Sequence, residues 1–242
     1  MKKGFWKLFG DSINEYGEKL IPIFKIFFFL YFIPLLIIGF LVLLLFSGVY
    51  ASLGKSVLET GSLDIQELVK SQAVPLFSLI VFMVVFGIIL AIFYFLTSLS
   101  YTYIGFANKK DLSFNTVLGF ARKYFWRYVG LSLLVIVCLI PLYILLIIPG
   151  IIFTVFWAFS SYIMVNEKTK IRESMKKSRA LVKGRWWKVF GFGLLFLLIF
   201  VIVSAIVNII PFIGGIISSL VLTPFLILFF KNFYLDLKGK ES

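Results

Sequence analysis

Val189-Phe-Gly-Phe-Gly-Leu-Leu-Phe-Leu-Leu-Ile-Phe-Val-Ile-Val-Ser-Ala-Ile-Val-Asn-Ile-Ile-Pro-Phe-Ile-Gly-Gly215 continues without a charge through Ser218-Ser219 to Phe230, 42 residues in all. A membrane-crossing helix needs about 20 apolar residues at 1.5 Å rise each, so the stretch is long enough for two crossings. Pro211 and the paired Gly214-Gly215 disrupt a helix near its middle. It therefore reads as a hairpin of two spans, 189–208 and 214–231. Gly214-x3-Ser218 and Gly215-x3-Ser219 have the spacing that lets helices approach closely. Gly214, Gly215, Ser218 and Ser219 are accordingly expected to pack helices, with a substrate contact among Ser204, Asn208, Ser218 and Ser219 as the alternative.

Tyr128 to Asn166 is another 39 uncharged residues, interrupted by Pro141 and Pro149-Gly150. It reads as spans 128–147 and 150–166 turning near Ile147-Ile-Pro-Gly150, with a single kinked helix as the alternative. Ser71 to Asn108 is 38 residues without charge, about 57 Å if all helical. That exceeds one crossing, so a span at 74–98 continues past the hydrocarbon as Thr97-Ser-Leu-Ser-Tyr-Thr-Tyr103. The uncharged run 26–54 supplies the first span, 26–47. It is too long for a signal-peptide core, follows Asp11, Glu15 and Glu18, and shows no small-residue cleavage site, so the N-terminus is expected to stay attached.

Composition agrees with this reading. The 242 residues are 61% hydrophobic and 19% aromatic with a mean hydropathy of +1.06, and only 14% are charged, against about 25% in soluble domains. A water-soluble globule and a disordered chain are both excluded. The expected fold class is all-α: a polytopic integral membrane protein with six transmembrane helices and amphipathic cytoplasmic interfacial helices, in one membrane domain over 1–242.

The formal charge of +13 comes from 24 Lys and Arg against 11 Asp and Glu. Cytoplasmic loops should hold the basic residues. Six spans place 22 of them inside, in segments 1–25, 106–127, 167–188 and the C-terminal end from Lys231 through the tail 232–242, and 2 in the external loop 48–73. Treating either hairpin as one span puts a strongly basic segment outside. Both termini are therefore expected in the cytoplasm of a bacterial cell, and the basic surplus is an orientation signal. No nucleic-acid partner is needed to explain it.

Three of these inner segments read as short amphipathic helices. Phe5, Leu8, Phe9, Ile13, Tyr16 and Leu20 form the stripe of the first. The second carries Phe114, Val117, Leu118, Ala121 and Phe125. In the third, Ile171, Met175, Ser178 and Val182 lie opposite Lys170, Arg172, Lys176, Lys177, Arg179 and Lys183. An apolar stripe opposite Lys and Arg suits the interface of an anionic bilayer, worth roughly 1 kcal/mol per basic residue. The same stripe can instead pack under the spans. The headgroup candidates are Lys176, Lys177, Arg179, Lys183, Arg185 and Lys188, and the expected partners are the lipid bilayer, anionic lipid in particular, and a membrane protein.

Phe125-Trp-Arg-Tyr-Val-Gly130 returns 61 residues later as Trp186-Trp-Lys-Val-Phe-Gly191, and Phe5-Trp-Lys-Leu-Phe-Gly10 is a third copy. Trp belongs at the membrane interface beside cytoplasmic Lys and Arg, so Trp6, Trp126, Trp186 and Trp187 are expected anchors. The two later copies favour duplicated helix-hairpin units.

Ile148-Pro-Gly-Ile-Ile152, Phe159-Ser-Ser-Tyr-Ile-Met-Val-Asn-Glu167, the run Ser174 to Gly191 and the closing Tyr234-Leu-Asp-Leu-Lys238 resemble the membrane domain attached to some bacterial glycerophosphodiester phosphodiesterases, and its stand-alone relatives. The resemblance covers about 148–238 and implies a six-helix membrane domain. That family's catalytic domain has no counterpart in these residues, so the resemblance carries no catalytic residue with it.

The chain has no His. A Ser–His hydrolase, a His-dependent phosphatase and the usual zinc protease pair are excluded in their ordinary forms. No Asp or Glu lies in 71–108, 128–166 or 189–230, which argues against intramembrane carboxylate chemistry and proton-coupled transport. Asn166-Glu167 and Tyr234/Asp236, at span ends, either pair with neighbouring cations or bind a ligand. Cys138 reads as a small packed hydrophobe. Pro34, Pro75, Pro141, Pro149, Pro211 and Pro224 lie in or beside spans, where broken helices can line a cavity. The expectation is a non-enzymatic membrane protein with no cofactor or metal, holding anionic lipid or a membrane partner. The alternative is a transporter or export accessory for a lipid, peptide or neutral solute.

Overall fold

A computed structural model describes residues 3–60, 65–108, 111–209 and 213–239. Residues 61–64 of the loop expected over 48–73, Lys110 and Pro211 lie outside them. Among the described residues there are eleven α-helices, two π-helical turns and no strand. Six helical stretches are long and apolar enough to cross a membrane: Leu20–Leu44, Ile80–Phe106, Phe114–Leu145, Ile147–Glu167, Trp186–Val207 and Gly214–Lys238.

The chain divides into two compact units, 28–94 and 1–27 with 95–242. The first opens with a π-turn, Phe28–Phe32, and continues as α3 (Ile33–Thr60), with α4 (Ile65–Phe106) starting in this unit. Helix thus replaces most of the loop expected over 48–73. Leu36, Ile37, Phe40, Leu43, Ile80, Met83, Val84 and Ile88 are all exposed, the surface of a helix pair that meets hydrocarbon instead of water.

The second unit opens with α1 (Phe5–Glu18) and α2 (Leu20–Phe27) and takes in the end of α4. α5 (Phe114–Leu145) follows, capped by Ser113, whose side chain accepts from the Thr116 N–H at 3.3 Å. Residues 114–145 of the segment 106–127 and the span 128–147, expected as separate elements, form this one 32-residue helix. Pro141 lies inside it without ending it, and the turn falls at Leu146, which is extended. Pro149 sits in the first turn of α6 (Ile147–Trp157), where no helical N–H partner is lost. A Cβ at Gly150 would lie 2.6 Å from the Tyr143 ring, so only glycine allows this close return.

After α6 the fourth span breaks at Ala158-Phe159 and resumes as α7 (Ser160–Glu167). Then come α8 (Ile171–Val182), α9 (Trp186–Val207), the short α10 (Ile213–Ile217), a π-turn (Ser218–Leu222) and α11 (Thr223–Lys238). Residues 232–238, expected as tail, continue α11 and are mostly buried, and the helix stops at Gly239 in the left-handed region, φ +78°.

Both π-turns end two residues before a proline, Pro34 and Pro224. A proline removes the hydrogen bond to the carbonyl four residues back. For Pro224 that carbonyl belongs to Leu220, and the Tyr16 hydroxyl donates to it at 3.2 Å.

The core of this unit has two parts. Leu99, Ala121, Tyr128, Leu131, Met164, Val165 and Met175 join α4, α5, α7 and α8. An aromatic part joins α1, α9 and α11, with Phe196 stacked on Phe229 at 4.3 Å and Phe5 edge-on to Phe192 at 5.6 Å.

Candidate functional site: a basic helix and its buried ties

Where α6 gives way to α7, the Phe156 carbonyl and the Phe159 N–H lose their helical partners. Ser178 of α8 takes both: its Oγ donates to Phe156 O at 2.7 Å and accepts from Phe159 N at 3.2 Å. At its start Thr169 and Ser174 share a hydroxyl hydrogen bond of 2.7 Å, and Arg127 of α5 reaches the Lys168 carbonyl at 3.3 Å. Lys168 itself adopts φ +54° to turn the chain back on α7. Ser174, Met175, Ser178 and Val182 are buried by this packing. The apolar stripe of α8 is therefore spent on protein contacts, and its opposite face is held outward.

The six headgroup candidates divide by what they touch. Lys177 is exposed but bonded, to Glu167 at 2.8 Å and Glu173 at 3.0 Å. Those hydrogen bonds, Glu167 first, hold its ammonium above the usual lysine range. Arg179 lies over the rings of Phe153 and Phe156, at 5.8 and 5.5 Å. Arg185 donates to the Leu237 carbonyl at 2.8 Å, tying the α8–α9 turn to the end of α11. Lys188 lies 5.8 Å from the Phe192 ring. Lys176 and Lys183 are exposed and have no partner among the described residues, a condition they share with Lys168, Lys170 and Arg172.

The tryptophans divide as well. Trp6, Trp126 and Trp187 are 71%, 80% and 79% exposed, whereas Trp186 turns inward, stacks on Phe190 at 5.0 Å and donates to Ile152 O at 3.3 Å. At the last hairpin a Cβ on Gly214 would lie 2.5 Å from Val207 O, so this glycine permits the close return of the chain; Gly215 faces open space. Ser218 accepts from Asn208 Nδ2 at 3.2 Å, and Ser219 donates to the Gly215 carbonyl at 2.8 Å.

A second group of ties was not legible in the sequence. Lys231 of α11, 4% exposed, donates to both Glu15 oxygens at 2.7 Å and to Asn232 Oδ1 at 2.8 Å. Asn232 in turn donates to Ser12 Oγ and to Glu15 Oε2, each at 3.0 Å. Lys19 bonds Glu15 at 2.8 Å and caps the end of α4 through the carbonyls of Ile104 and Gly105, at 2.7 and 2.9 Å. Burial opposes the Glu15 charge, but the Lys231 ammonium and the hydrogen bonds from Lys19 and Lys231 outweigh it. They hold the carboxyl below its usual range. The available signal was the apolar pattern of Leu228-Phe-Phe-Lys-Asn-Phe-Tyr-Leu235, which passes Lys231 without pause.

At the other end of α11, Glu167 accepts from the Tyr234 hydroxyl at 3.1 Å and from Lys238 as well as Lys177, while Asn166 donates to Tyr234 at 3.2 Å. Asp236 accepts from the Lys3 backbone N–H at 3.1 Å. Both span-end carboxylates are thus held by protein groups. Cys138 is half-buried. Among the described residues no three His, Cys, Asp or Glu side chains gather where a metal could bind.

Fold and helix composition together define an all-α polytopic membrane protein. No family model, curated protein or solved structure matches the chain.

Proposed function

We propose that this is a non-enzymatic multi-pass protein of the bacterial cytoplasmic membrane that gathers anionic lipid headgroups on the outward face of α8. The observation that carries the reading is the set of exposed cations on α8 and at its two ends, Lys168, Lys170, Arg172, Lys176 and Lys183, whose side chains have no partner among the described residues while the other face of the helix is anchored in protein. A loose amphipathic helix could bury its cations against its own chain. This one is fixed by Ser178, bonded to the break between α6 and α7, and by the burial of Ser174, Met175 and Val182. Each basic residue near an anionic surface contributes roughly 1 kcal/mol, so a row of this length supports strong enrichment over neutral lipid. Exposed Trp126 and Trp187 suit the same interface.

The asymmetry of 22 basic residues against 2 supports cytoplasmic termini and a cytoplasmic α8. The resemblance of 148–238 to the phosphodiesterase membrane domain supports a six-helix membrane domain without that family's catalytic part, and the absence of His supports a role without catalysis. One observation favours the transport alternative: an apolar cavity of about 230 Å³ beside the break at Ala158, lined by Thr154, Val189, Phe190 and Gly193 among others.

The full-length protein in nanodiscs of mixed phosphatidylglycerol and phosphatidylcholine tests the reading, with the retained lipid counted by native mass spectrometry. Anionic lipid should be enriched, and the enrichment should vanish in a Lys170→Glu, Arg172→Glu, Lys176→Glu, Lys183→Glu variant and weaken at high salt. Retention indifferent to headgroup charge overturns it. Reporter fusions after Leu146 should report the outside, and fusions within Lys183-Gly184 the inside.

A further inference from the structure

α1 has three faces. Phe5, Leu8, Ser12, Glu15 and Lys19 pack on the spans, Lys7, Asn14 and Glu18 form the polar face, and Trp6, Phe9, Ile13, Tyr16 and Leu20 make the third. Under this third face lies a slot of about 250 Å³ whose other walls are α9, at Phe200 and Val203, and the π-turn and start of α11, at Val221 and Phe225. The slot is framed by two contacts that fix α1 against the π-turn and α11. Tyr16 is fixed to the carbonyl that Pro224 frees, and Phe9 is wedged edge-on against Phe225 at 5.1 Å. The buried Glu15–Lys231 pair keeps the helix from sliding inward.

Nothing in the slot can hold water. A bound water needs two to four polar partners, and the one hydroxyl in the lining, that of Tyr16, is already donated to a backbone carbonyl. An empty slot forfeits dispersion contacts on every wall. Its α9 and α11 walls belong to membrane-spanning helices, and Leu198 and Ile202 on the adjoining face of α9 are 53% and 59% exposed. Hydrocarbon is therefore the medium at its open side. We infer that the slot beneath α1 takes one acyl chain of a bilayer phospholipid as a structural ligand.

The inference concerns the chain and not the headgroup, so it stands apart from the proposed role of α8. The full-length protein is reconstituted in nanodiscs with a phospholipid carrying a mid-chain diazirine, as phosphatidylglycerol in one arm and phosphatidylcholine in the other. After photolysis, labelled residues are mapped by mass spectrometry. Labelling should concentrate on Ile13, Val203 and Val221 above the level at Leu198 and Ile202, equally in both arms. Val203→Trp, and independently Val221→Phe, fill the slot and should abolish the excess while leaving Leu198 and Ile202 labelled. Two variants guard against one that fails to fold. Labelling no greater in the slot than at Leu198 and Ile202, excess that survives both variants, or crosslinks from the slot to a second protein copy would each overturn the inference.

Discussion

α1 and α8 each lay one face against the second compact unit, and they are fastened by opposite chemistry. α8 is held mainly through hydroxyls, Ser178 bonded to the break between α6 and α7 and Ser174 to Thr169 and the Lys170 carbonyl, with the exposed Lys177–Glu167 pair as its one ionic tie among the described residues. α1 is held by charge, with Glu15 between Lys19 and Lys231. Neutral ties cost a helix none of its cations, and Lys170, Arg172, Lys176 and Lys183 remain exposed without a side-chain partner among the described residues. Ionic ties consume them. Two segments with similar hydrophobic periodicity therefore serve as an exposed cationic surface and as an internal strap.

The largest effect expected from breaking this contrast is at Glu15. Glu15→Gln leaves Lys231 buried without its counter-charge, and losing one partner of a buried pair costs about 3–5 kcal/mol. Thermal unfolding in detergent should show it, and Glu15→Leu with Lys231→Met should recover much of the loss. Acid offers the same test without mutation. A carboxyl held below its ordinary value of 4.5 contributes stability that is fully present above that value and is lost as pH falls through the folded-state value. Wild-type melting temperature should therefore drop on acidification below about pH 4.5 by more than that of Glu15→Gln.

Ser178→Ala breaks the neutral tie. It strands the Phe159 N–H and the Phe156 carbonyl, at about 1–3 kcal/mol. Its effect should show no pH dependence between 7 and 3, which would sharpen the distinction from α1. A smaller loss, about 1 kcal/mol, is expected from Tyr16→Phe, which leaves the Leu220 carbonyl without its donor. Smallest of all, Lys176→Glu with Lys183→Glu should move stability by less than about 0.5 kcal/mol, since neither side chain has a partner to lose. The same pair should still reduce anionic-lipid retention. A large stability loss here would show that the cations are structural after all.

The hairpins and the all-α class were legible because hydrocarbon length and charge exclusion act on single stretches of chain. The turn at Leu146 and the continuity of α5 through Pro141 were not, since proline breaks a helix only where neighbours leave the freed carbonyl without a partner. The stripe Ile171, Met175, Ser178 and Val182 was readable as a face but not as a contact. On α1 the readable stripe was only partly the contact face: Phe5 and Leu8 are buried, but Ile13 and Leu20 are about half exposed, while Ser12 and Glu15 turn toward α11. Periodicity counts apolar side chains, and this interface is partly polar.

The sequence by itself determined how many times the chain can cross a bilayer and where its positive charge collects, because both depend on local composition and solvent alone. Which cations are available was decided only by tertiary structure. Lys177, Arg179, Arg185 and Lys188 look like Lys176 and Lys183 along the chain, yet four of the six meet Glu167, the Phe156 ring, the Leu237 carbonyl and the Phe192 ring. A charge is free or bound according to what lies within a few ångströms of it, and those neighbours are up to 52 residues away in sequence.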